Sequence, residues 1–229
     1  MVMKASIFGK RVYFLLVAIS FFFHACVDPH LKEAGAFASG IAGGSEFEVK
    51  RRSESTGNVY ELTVEDAAWN KSFDNDDVLS VCALAFYNRL DKPETNSYVR
   101  LILHAQNDIV QQTYTATELQ RADRCIDRVS SFFKWKPALG IDSLKLFIDP
   151  LFFPDSLIQK IGESVHLQDS VGNNFVRAEV IGFESDTVAG LSVLTVKVNA
   201  IRKQSRQRYD AFVGLKSEQI LLVVPAENH

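Results

Sequence analysis

The sequence predicts an α+β protein, mainly antiparallel β-sheet with one long amphipathic helix and a C-terminal β-meander. Two patterns carry this expectation. Over about residues 116–135, Leu119, Ala122, Ile126, Val129 and Phe133 recur at 3-4-3-4 spacing behind a Thr115…Glu118 capping-box pattern, with Arg121, Arg124, Asp127 and Arg128 on the other side. Beyond Ser164 the apolar period falls to two. Val176, Ala178 and Val180 alternate with Arg177 and Glu179, and Leu194, Val196, Val198 and Ala200 alternate with Thr195, Lys197 and Asn199. A 3.6-residue stripe buries one side of a helix, and a period of two buries one face of a sheet.

In chain order, Lys4, Lys10 and Arg11 come first, no acid precedes Asp28, and an apolar run of 14 residues extends from Val12 to Ala25. A positive segment followed by such a run has signal-peptide form. Spanning a bilayer takes about 20 apolar residues, so this run is short for a membrane helix. Phe23 and His24 break the small-residue pattern of an ordinary secretory cut. The segment "FFFHAC" resembles the lipobox of bacterial lipoproteins: Ala25 and Cys26 fit, Phe23 stands at the large apolar position, and His24 departs from the pattern. The resemblance implies that residues 1–25 are a signal peptide. It also implies that Cys26 is the lipid attachment site, carrying a thioether-linked diacylglycerol and an acylated amine of the palmitate type. At about 0.8 kcal/mol per buried methylene, two or more chains anchor a protein permanently. The location implied is the bacterial cell envelope, on the outer membrane facing the periplasm or the surface in a Gram-negative cell. Plain secretion and an uncleaved signal anchor are the other readings of the same run.

Cleavage before Cys26 leaves about 200 residues, enough for one large domain or two small ones and for a core without disulfide staples. The whole chain carries a net charge of −3, and loss of the signal removes three cations. A mildly acidic balance gives no support for nucleic-acid binding, whose footprint is a strongly basic face. With Cys26 assigned to lipid, Cys82 and Cys125 are left as either one disulfide or two buried thiols.

Residues 26–44, rich in Ala, Gly and Ser, read as a flexible tether. Next come an α+β portion over 45–163 and an antiparallel β portion over 164–229, divisible or continuous as one domain. "EFEVKR" and "NVYELTV" read as a hairpin about "RSESTGN". A short helix capped by Thr63 with Asp66 is expected next, closing before the acidic "DNDD" of residues 74–77, a solvated loop that caps the next element. Residues 78–90 are open between buried strand and helix. "SYVRLILHA" and "DIVQQTYT" read as a second hairpin, "SLKLFID" as a strand, and "PDSLIQKIG" as a short helix. The final 65 or so residues read as about five strands, with turns at "VGNN" and "ESDTVAG".

No motif names a reaction. The sequence holds no nucleophile elbow, phosphate loop, dinucleotide fingerprint or zinc-protease helix, so no catalytic or metal-ligating residue is assigned and no cofactor is expected. His104 and His166 sit singly in expected strands, and "DNDD" lacks the alternating acids and closing Glu of a calcium loop. "IRKQSRQR" gathers Arg202, Lys203, Arg206 and Arg208 between two expected strands as a candidate binding patch or a solvated connection. Phe147, Phe152 and Phe153 in "LFIDPLFFPDSL" read as core aromatics at a turn or as a contact surface. The functional expectation is a lipid-anchored envelope component of the non-enzymatic, binding or assembly kind, held to the membrane through its N-terminal lipid and engaging an envelope protein, glycan or lipid. The alternative is an envelope hydrolase whose site is assembled from scattered residues.

Overall fold

A computed structural model describes residues 28–69, 74–91, 93–105, 108–134, 141–160, 175–202 and 205–226. The elements are α1 (Pro29–Ala42), β1 (Glu46–Glu54), β2 (Gly57–Glu65), α2 (Asn75–Tyr87), β3 (Tyr98–Ala105), β4 (Asp108–Thr115), α3 (Ala116–Phe133), the one-turn α4 (Ile141–Leu144), β5 (Phe175–Val188), β6 (Leu191–Arg202), β7 (Ser205–Gly214) and β8 (Ile220–Pro225). Residues 155–160 are also helical. The chain is an α+β protein rich in strand. Among the described residues, no helix is long and apolar enough to cross a membrane.

There are two four-stranded sheets, ordered β1-β2-β3-β4 and β5-β6-β7-β8. In the first, antiparallel hairpins flank a parallel β2/β3 pair, and α2 supplies the crossover that parallel neighbours require. The second is antiparallel throughout. One apolar cluster runs from Leu31 and Ala34 through Leu62, Phe86, Leu101 and Leu119 to Val196, Ala211 and Ile220, so the two portions share a core.

Residues 29–42, expected within a tether, form a docked helix. Asp28 caps it by accepting a hydrogen bond from the His30 amide, Pro29 opens it, and Gly43 closes it at φ 66° in the left-handed region. Its buried side is Leu31, Ala34, Gly35, Ala38 and Ala42, a stripe of small residues with little large-apolar signal. Small side chains allow close approach: a Cβ on Gly35 would lie 2.4 Å from Val49 Cγ1, and the Cys82 thiol donates to the Ala38 carbonyl at 3.6 Å.

Of residues 78–90, open between strand and helix, 78–87 are helical in the body of α2 and 88–90 form the turn after it. This helix is apolar on most sides because it packs against α1, α3, β3, β4 and β5 together. Asp74 occupies its N-cap position, with Asp76 and Asp77 in the first turn. α3 has the expected capping box: Thr115 Oγ1 accepts from the Glu118 amide, and the Glu118 carboxylate accepts from the Thr115 amide at 2.7 Å. Among the described residues it is one of three helices longer than ten residues.

Three local expectations are corrected. The helix expected between the Thr63 cap and "DNDD" does not form over the described residues 63–69: β2 runs through Glu65, and the Ala67 and Ala68 amides then donate to the His104 and Ala42 carbonyls. "SLKLFID" is the α4 turn followed by a single Ile148↔Ile220 bridge, because Asp149 and Pro150 fold the chain back, with Asp149 accepting from the Leu151, Phe152 and Phe153 amides. "ESDTVAG" is mostly strand: β5 pairs with β6 out to Val188, and the turn is Ala189-Gly190 at φ 51° and 80°. That is the two-residue, positive-φ hairpin geometry that matches strand twist. Among the described residues four of the about five expected strands are present, and the stretch from Ser164 through the expected "VGNN" turn, including His166, lies outside them.

Candidate binding cleft between two sheet edges

Alternation along β6 puts Lys197 on the opposite face from Val196 and Val198, where water is the simple expectation. Lys197 is instead buried. Its Nζ lies 2.7 Å from Oδ1 of Asp77, which is 1% exposed, and 3.6 Å from Glu184 Oε1; Arg208 Nη2 lies 3.5 Å from Asp77 Oδ2. α2 carries Asp77 onto β5 at a strand irregularity between Val180 and Gly182. Gly182 makes that approach possible, because a Cβ there would sit 2.4 Å from Asp77 Oδ1. Ser80 completes the junction, accepting from the Phe183 amide at 3.0 Å and donating to the Asp77 carbonyl at 2.9 Å. Burial alone lowers the affinity of Lys197 for its proton. The hydrogen bond and charge of Asp77, with the charge of Glu184, outweigh it and hold the ammonium above its ordinary range.

Beside this cluster is a cleft of about 330 Å³ between β4 and β5. β4 is the last strand of the first sheet and β5 the first strand of the second, so both walls are sheet edges. Gln112, Thr113 and Tyr114 form one wall and Phe183, Glu184 and Ser185 the other, with Asp76, Glu118 and Arg121 contributed by the helices. The Tyr114 and Phe183 rings meet at 6.2 Å between centroids. Burial first, then the charges of Asp76, Cys82 and Glu118, push the Tyr114 phenol up, so it stays a neutral hydroxyl able to donate a hydrogen bond.

The edges differ in chemistry. β1 carries Glu46, Glu48, Lys50, Arg51, Arg52 and Glu54; β5 is irregular and carries Glu179, Glu184 and Asp186; β8 ends at Pro225. Charge, irregularity and proline discourage strand addition. β4 has none of these after Asp108: Ile109 to Thr115 is uncharged, pairs with β3 in unbroken register, and is largely exposed.

Among the described residues, none of the site residues expected from sequence lines this cleft. Arg206 pairs with Glu179 within the second sheet at 2.9 Å and Arg208 turns to Asp77 of α2, so these two members of the basic run have intramolecular partners. Lys203 and the side chain of Arg202 lie outside the described residues, as does Cys26. Cys82 and Cys125 are buried free thiols, and burial pushes them up to about 12 and about 11 respectively. His104 Nδ1 lies 2.8 Å from Glu65 Oε2 at an exposed position that does not line the cleft. Phe153 is buried, whereas Leu151 is 87% and Phe152 47% exposed. Asp77 and Lys197 were missed by sequence reasoning. The one available signal was a third acid in "DNDD", more than a helix cap needs.

No family model, curated protein or solved structure matches the chain. Fold and site together therefore define its class from their own geometry: a two-sheet α+β domain with a cleft between sheet edges.

Proposed function

We propose that this chain is a lipid-anchored component of the bacterial cell envelope, attached through Cys26, that captures an extended segment of a partner protein by strand addition to β4. The observation that carries the reading is the uncharged, regular, exposed β4 edge bordering a cleft. In strand addition, main-chain hydrogen bonds supply affinity and pockets for alternate side chains supply specificity. Here the backbone of β4 offers the first, and the Tyr114–Phe183 pair with its surrounding carboxylates offers the second.

Proline scanning of the edge tests it. Gln111 and Gln112 pair with Ile102 and Leu101, and successive residues of an edge strand point their amides alternately at the neighbouring strand and outward. Of Gln111→Pro and Gln112→Pro, one removes an internal ladder bond and the other an outward donor. A photo-crosslinking residue at Thr113, in protein expressed in the envelope, should label a partner. The outward-donor variant should lose that label while keeping the wild-type melting curve. Labelling unchanged by either proline would overturn strand addition at β4. The anchor is tested separately by detergent partition and intact mass of wild type and Cys26→Ser, with acylated mass expected in the wild type alone.

A further inference from the structure

α1 begins at Pro29, is capped by Asp28, and is fixed to the core by Leu31, Ala34, Ala38 and Ala42. Only Val27 stands between Asp28 and Cys26. Two residues of extended chain reach at most about 7 Å. A lipid on Cys26 would therefore hold the body directly against the headgroup layer, with no tether to let it swing away.

The surface at that end is a groove of about 760 Å³, with Asp28 and Leu31 from α1, Arg51 and Tyr60 from the first hairpin, and Leu90 and Asp91 after α2 among its lining. Lys50 and Arg52 have carboxylate partners in Glu48 and Glu61. Arg51 is exposed, has its guanidinium 5.5 Å from the Tyr60 ring centroid, and has no ion-pair partner among the described residues. Lys32, in the first turn of α1, is exposed but does not line the groove, and the exposed Glu33 follows it. Among the described residues, two carboxylates line the groove beside the cations Lys50, Arg51 and Arg52: Asp28, which also accepts from the His30 amide, and Asp91.

We propose that this groove is a phospholipid headgroup site that seats the protein on an anionic bilayer. Arg51 meets the lipid phosphate at the mouth of the groove, beside the ring of Tyr60. The chemistry is that of an interfacial arginine, with an aromatic ring facing its guanidinium on one side and phosphate on the other. The assignment rests on lipidation of Cys26, and each cation at such a surface is worth about fivefold in binding.

The test is hydrogen exchange by mass spectrometry on the lipidated protein. It would be measured in detergent micelles, in phosphatidylethanolamine nanodiscs, and in nanodiscs that also contain phosphatidylglycerol. Amides in 30–34, 50–52 and 89–91 should exchange about fivefold more slowly on the phosphatidylglycerol discs than in micelles, while those of β3 and α3 stay unchanged. Arg51→Glu should abolish that slowing without altering exchange in micelles. Equal exchange in all three settings for protein of acylated mass would overturn the headgroup site and leave the anchor standing. Slowing that ignores both phosphatidylglycerol and Arg51→Glu would overturn the role given to Arg51. Absence of acylated mass would instead remove the reading on which the site rests.

Discussion

Replacing Asp77 with Asn asks whether the buried ion cluster joins α2 to the second sheet. The side chains of Asp77 and Lys197 are 2% and 11% exposed, so neither charge has much water to fall back on. In Asp77→Asn the Lys197 ammonium keeps Glu184, half exposed and 3.6 Å away, and still faces the guanidinium of Arg208. One-sided loss from a buried pair costs about 3–5 kcal/mol, and the surviving Glu184 contact places this case near about 3. At about 2–4 °C per kcal/mol for a domain of this size, the melting temperature should fall by about 6–12 °C. Urea unfolding followed by circular dichroism gives the free energy directly. Lys197→Met should cost a similar amount, and the double variant should cost at least about 1 kcal/mol less than the sum. The pH dependence has a definite sign. Lys197 is held above its unfolded value of about 10.4, so its contribution is complete below that pH and is lost as pH rises through the folded value. The buried thiols weaken the fold in the same alkaline direction, so the informative quantity is the difference between wild type and Asp77→Asn, which should shrink above about pH 10.4. A cost below about 1 kcal/mol, or strict additivity of the two substitutions, would refute the cluster as a structural joint.

Gly182→Ala should destabilise by about 1–3 kcal/mol in the same urea assay, because its Cβ would overlap the Asp77 carboxylate and Cβ, and the loss should largely vanish only in an Asp77→Gly background, which removes both. In a Cys26→Ser background, Cys82 and Cys125 should be inert to a thiol reagent at pH 8 until urea is added, since burial keeps both thiols protonated and covered. Prompt reaction in the native protein would contradict their placement. Thr115→Ala should cost about 1 kcal/mol through loss of the hydroxyl acceptor at the start of α3, read from the urea midpoint.

How far the fold was legible depended on how many sides of each element are buried. α3 and the two hairpins of the first sheet each present one apolar face, so their periods were visible and the elements stand where expected. α2 touches both sheets and two helices, which fills its sequence with apolar residues on most sides and erases the period that would have identified it. α1 failed for the opposite reason. Its contacts are made by alanines and a glycine, whose value lies in close approach to Val49 and to the Ala38–Cys82 contact, not in apolar bulk. The candidate cleft was illegible because strand order is not a local property. Nothing in "DIVQQTYT" says that it ends a sheet, although its lack of charge is plain once its edge position is known.

The same non-local logic ties the cluster to the cleft. Adjacent residues of the first turn of α2 serve both: Asp77 anchors to Lys197 and Arg208, and Asp76 lines the cleft. On β5, Gly182 admits Asp77, the Phe183 amide bonds to Ser80 while its ring meets Tyr114 at a tilt, and Glu184 both faces Lys197 and lines the cleft. β4 and β5 belong to different sheets, so no ladder of strand hydrogen bonds sets their separation. What sets it is packing across the helix layer together with one buried ionic contact at its end. A buried ion pair adds little net stability over a well-packed apolar replacement, but it is directional, and loss of either partner is costly. Directionality is what a binding cleft needs from its support. Apolar packing alone would tolerate a small slide of α2 along β5, whereas a carboxylate fitted against a glycine and held between two cations fixes where the β5 wall stands relative to β4.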